Sequence, residues 1–82
     1  MSVAEAAERL RNYWMSLGIK HIDILPSRKG LIVRFALPEF LRIRNALNVA
    51  IVRDAENYAA EYGIGVRNWA DSYYIYVEFI EL

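Results

Sequence analysis

Arg67, Trp69, Tyr74 and Tyr76 alternate along two short β-rich runs late in the chain, and Arg34 stands in an earlier run of the same kind. Side chains two apart on a strand share a face. Rings interleaved with guanidinium groups suit a single-stranded nucleic acid: unstacked bases lie on the rings while cations follow the phosphates, each stacked base contributing roughly 1–3 kcal/mol. Arg28 and Lys29, between two earlier runs, would extend such a surface at a hairpin tip. The same aromatic residues are also good strand formers that another subunit could cover, and the residue types alone leave both readings open.

Other chemistry lacks its components. There is no Cys and one His, so disulfides, thiolate metal sites and a thiol nucleophile are excluded, and His21 cannot build a metal site alone. Ser2, Ser16, Ser27 and Ser72 have no base partner beyond His21, and Asp54, Glu56 and Glu61 read as a solvated acidic patch. Gly63-Ile64-Gly65 is too short for a dinucleotide fingerprint and follows a helix instead of a strand. The chain therefore reads as non-catalytic, with no cofactor and no metal.

Elements that would position these residues follow from periodicity. Val3, Ala6, Ala7, Leu10, Tyr13, Trp14 and Leu17 recur at helical spacing, which predicts a helix over 2–17 stopped by Gly18. Two β-rich runs, Ile19 to Leu25 and Leu31 to Leu37, flank Pro26-Ser27-Arg28-Lys29-Gly30 as a hairpin. Pro38 reads as the first residue of a second helix that ends at Gly63, with a core stripe of Phe40, Ile43, Leu47, Ile51, Ala55, Tyr58 and Tyr62. Arg42 and Arg44 read as solvated positions in its first turns. Runs from Ile64 to Trp69 and from Tyr73 to Leu82 flank Ala70-Asp71-Ser72 as a second hairpin. The order α-β-β-α-β-β predicts an α+β two-layer domain spanning 1–82, with a four-stranded, mostly antiparallel sheet and two helices on one face.

Register then decides which residues share the open face. A two-residue turn at Asp71-Ser72 pairs Trp69 with Tyr74 and Arg67 with Tyr76. It sends Ile64, Val66, Ile75, Val77 and Phe79 inward and Arg67, Trp69, Tyr74, Tyr76 and Glu78 outward. An even loop around Arg28-Lys29 sends Ile22, Ile24, Val33 and Phe35 inward and His21, Asp23, Ile32 and Arg34 outward, with Asp23 opposite Arg34. A bulged loop would reverse the parity of one strand.

Composition sharpens the partner question. The 82 residues are 56% hydrophobic with ten basic and ten acidic side chains, and a chain this short buries only about 60–65% of its unfolded surface. Some apolar side chains should therefore face a partner, and a homo-oligomer is expected. The neutral total conceals order: Lys20 to Arg53 holds seven basic and two acidic residues, and Asp54 to Leu82 one basic and six acidic. No run is long enough to span a bilayer, and the N-terminus lacks a signal-peptide pattern, so a cytoplasmic location is expected.

The combination of helices and hairpins with Arg34, Arg67, Trp69, Tyr74 and Tyr76 resembles the small single-stranded-DNA-binding ThermoDBP-related proteins of hyperthermophilic archaea. The absence of Cys and Gln agrees in part with such an origin. The resemblance implies DNA binding with little sequence preference, and oligomerisation. The larger members dimerise through a long leucine-zipper helix that this sequence lacks, so an oligomer would need another surface.

Overall fold

A computed structural model describes residues 2–82. The elements are α1 (Ser2–Ser16), β1 (Ile22–Pro26), β2 (Gly30–Ala36), α2 (Arg44–Tyr62), β3 (Gly65–Ala70) and β4 (Tyr74–Ile80). They form the expected α+β arrangement. The sheet order is β1-β2-β4-β3, with every neighbouring pair antiparallel. Ile22, Val33, Phe35, Ile75, Val77 and Phe79 leave the sheet on one side and are buried against Val3, Ala6, Ala7, Leu10 and Trp14 of α1 and Ile51, Ala55 and Ala59 of α2. Alanines on both helices let them approach one another. Phe35 and Phe79 are fully buried, each contributing about 1.5–3 kcal/mol by transfer from water.

The two halves repeat in register as well as in element order. Each cross-strand pair of β1 and β2 reappears 44 positions later in β3 and β4: Ile22↔Phe35 as Val66↔Phe79, Asp23↔Arg34 as Arg67↔Glu78, Leu25↔Ile32 as Trp69↔Tyr76. Val33 pairs with Val77 across the central β2–β4 junction, so a pseudo-two-fold axis passes between them. Both helices end on a left-handed glycine, Gly18 at φ 109° and Gly63 at φ 65°, a conformation that costs glycine no Cβ clash. The turns repeat too. Ser27 N–H donates to Gly30 O while Ser27 Oγ accepts from Gly30 N–H, and Asp71 N–H donates to Tyr74 O while Asp71 Oδ1 accepts from Tyr74 N–H.

This turn corrects the expected register of the second hairpin. The loop is Asp71 to Tyr74, and Trp69 pairs with Tyr76, not Tyr74, a shift of two. Two-residue hairpin loops need positive φ, and no non-glycine residue adopts it among the described residues. An even shift preserves facing, so the inward and outward sets of the second hairpin stand. The first hairpin adopts its expected register.

The start of α2 also differs. Glu39 N–H donates to Ser72 O at 2.6 Å, and Leu41 and Arg44 N–H close successive turns on Pro38 and Leu41 carbonyls. Residues 38–43 are thereby held against the β3–β4 turn, and the helix begins only at Arg44. Phe40 and Ile43, expected in the core stripe, are 85% and 55% exposed. Arg44 is no solvated helix residue: its guanidinium donates to the carbonyls of Leu37, Asp71 and Tyr74, tying the end of β2 to the second hairpin.

Candidate nucleic-acid interface

The face of the sheet opposite the helices carries the residues singled out from the sequence. Two cross-strand rows run over it. One reads Asp23, Arg34, Tyr76, Trp69, and the other Leu25, Ile32, Glu78, Arg67. Tyr74 stands beside the first row at the start of β4. Trp69 and Tyr76 stack nearly parallel, with centroids 5.2 Å apart and an interplanar angle of 7°, and Tyr74 leans on Tyr76 at 5.9 Å. Arg34 lies over the Tyr74 ring at 4.7 Å and Arg67 over the Trp69 ring at 5.1 Å. The result is one continuous aromatic cluster flanked by two guanidinium planes, with Trp69 40% exposed at its edge.

Both flanking cations carry a carboxylate. Arg34 Nη2 donates to Asp23 Oδ2 at 2.8 Å, and that bond raises the arginine's pKa further. Arg67 Nε donates to Glu78 Oε1 at 2.5 Å. Glu78 is the buried member of its pair, 5% exposed on the central strand. The Ser27 hydroxyl, and after it the Arg67 guanidinium, hold its carboxyl below the usual glutamate range against the opposing effect of burial. Sequence reasoning placed Glu78 on this face without assigning it a role. Its signal was position, since an acid between apolar neighbours on a central strand needs a cation.

Asp71 organises the other end. Its Oδ1 accepts from the backbone N–H groups of Tyr73 and Tyr74, and its Oδ2 accepts from Tyr76 O–H at 2.9 Å. Those backbone donors are the main reason its carboxyl lies below the usual aspartate range. Burial, then the bond to Asp71, pushes the Tyr76 phenol up. Asp71 therefore fixes both the turn and the tilt of a platform ring. Asp and Ser favour the first position of a β-turn, which was the readable signal.

Arg28 and Lys29 lie apart from the rings, at the tip of the first hairpin. With Arg67, Glu78 and Ile80 they line a shallow hollow. No side-chain hydrogen bond or ion pair holds either of them among the described residues. The seven candidate residues thus fall into a ring platform with two neutralised arginines and a separate cationic rim. Among the described residues no helix is long and apolar enough to cross a membrane, and no group of three His, Cys, Asp or Glu could hold a metal ion. Comparison with protein-family models, curated proteins and solved structures gives no match.

Proposed function

We propose that the open sheet face binds single-stranded DNA or RNA with little sequence preference. The observation that carries this reading is the partly exposed cluster of Trp69, Tyr76 and Tyr74 between two guanidinium planes. Every base has a π-face, so such a platform accepts bases without reading their edges. From Tyr74 the strand β4 leads about 20 Å, at roughly 3.3 Å per residue, to the end of the sheet where Arg28 and Lys29 form the cationic rim. A strand laid along β4 would place bases on the rings and phosphates at the rim. Arg34 and Arg67, already ion-paired, act as planar stacking walls more than as free charges.

Anisotropy titration of a fluorescent fifteen-nucleotide strand, with a duplex as control, tests the reading. Saturable binding of the strand and loss on Trp69→Ala and Tyr74→Ala are expected. No binding at tens of micromolar protein in low salt rejects it.

A second reading is favoured by the other row of the face. Leu25 and Ile32 are half-buried aliphatic residues there, and both ion pairs leave the face neutral, a composition that suits a second copy of this chain. Light scattering across a hundredfold concentration range separates the two, because only this reading requires the mass to rise and Trp69→Ala to lower it.

A further inference from the structure

An apolar cleft of about 540 Å³ opens on the first half of the molecule, between the end of α1, the segment entering β1 and the turns after β2. Trp14, Leu17, Ile19, Leu37, Leu41 and Leu47 line it. Its volume is that of a small-ligand site, and its apolar lining is what such sites use to take up the body of a ligand. The lining includes no Asp or Glu; its only charged or titratable members are Lys20 and His21, both exposed. The cleft is thus apolar within and cationic at its opening. Trp14 is itself 6% exposed. None of these residues belongs to the ring platform.

We propose that this cleft binds a small organic carboxylate with a hydrocarbon body. The chain would lie against Trp14, Leu41 and Leu47, and the carboxylate would sit at Lys20. Charge complementarity decides the class: a neutral body of the same shape fills the same walls but leaves Lys20 unused, and a cation meets Lys20 with like charge.

The test uses Trp69→Phe, which leaves Trp14 as the sole tryptophan, since the chain has two. Decanoate, decanol and decyltrimethylammonium are titrated below their aggregation limits while Trp14 emission and the thermal midpoint are followed. A saturable change at one decanoate per chain is expected, with a raised midpoint and affinity at least tenfold above that of the decyl cation. Lys20→Glu, an exposed substitution, should erase that preference without unfolding the chain. The proposal is overturned if no decyl compound alters Trp14 emission saturably, if the cation binds as well as the carboxylate, or if Lys20→Glu leaves the preference intact. It is also overturned if Trp14 emission changes on dilution of the protein alone, because a second copy would then occupy the cleft. Oligonucleotide binding enters none of these readouts, so the cleft and the ring platform stand or fall separately.

Discussion

Salt dependence is the most demanding test of the ring platform, because the ion pairs fix its expected size. Of the four candidate cations, Arg34 and Arg67 are held by Asp23 and Glu78, leaving Arg28 and Lys29 for phosphates. For a single strand the logarithm of the binding constant falls with the logarithm of salt at a slope of about −0.7 per neutralised phosphate. Two contacts give a slope of about −1.4, or roughly a sevenfold loss of affinity between 50 and 200 mM salt. Four contacts would give about −2.8 and roughly a fiftyfold loss. Anisotropy titrations at four salt concentrations measure this directly. The double substitution of Arg28 and Lys29 to Ala should flatten the slope towards zero while stacking retains residual affinity. A wild-type slope near −2.8 would falsify the assignment of Arg34 and Arg67 as neutralised walls. A slope near −1.4 that survives removal of Arg28 and Lys29 would misplace the phosphate path.

Three other outcomes follow from the same geometry. Trp69→Ala removes one ring of the stacked pair: urea denaturation should show a loss of about 0.5–1.5 kcal/mol, while the strand binds roughly fivefold to 150-fold more weakly if one base is lost from the platform; equal affinity would remove Trp69 from the site. Gly30→Ala should lower the thermal midpoint by about 8–24 °C, from two or three disrupted hydrogen bonds at about 1 kcal/mol each, because an added Cβ would lie 1.9 Å from Phe79 O; an unchanged midpoint would contradict the close β2–β4 approach. Asp71 and Glu78 both titrate below their usual ranges when folded, so near pH 4 the unfolded chain binds more protons and stability drops as the pH is lowered. Urea midpoints should be level above about pH 5 and decline below it as pH passes towards the folded values, less steeply in Glu78→Gln; a stability that rises on acidification would reverse the assigned sign.

Much of this arrangement was legible because facing depends on parity. The outward set of the second hairpin survives a register error of two, since only an odd slip exchanges the faces. Trp69, Tyr74, Tyr76, Arg34 and Arg67 could therefore be gathered on one surface from alternation alone. Their partners could not, because partners depend on where the turn closes, and Asp71 closes it with a side-chain oxygen that a count of loop residues does not register. The early start assigned to α2 has a similar origin. Pro38 does favour a first helical position, but the Glu39–Ser72 bond and the Arg44 clasp join segments more than 25 residues apart. No local propensity carries that information. Glu78 was placed correctly, yet its pairing with Arg67 emerged only from the true register.

The repeat also explains why the platform occupies one half of the face. Under the 44-residue correspondence, Trp69 and Tyr76 occupy the places of Leu25 and Ile32, and Tyr74 that of Gly30. The backbone offers two equivalent sites, and the sequence fills one with rings and the other with aliphatic side chains. The charges are exchanged as well: the first half puts the acid on the edge strand and the arginine on the central one, and the second half does the reverse. Had the order been kept, an acid would stand at position 67 beside Trp69 and an arginine at 78. The exchange instead sets Arg67 over Trp69, at the end of the cluster away from Arg34 over Tyr74, with Tyr76 between them. A guanidinium over a ring face contributes about 0.5–1 kcal/mol at an exposed site, so reversing one pair turns a symmetric scaffold into a single aromatic site with a cation at each end.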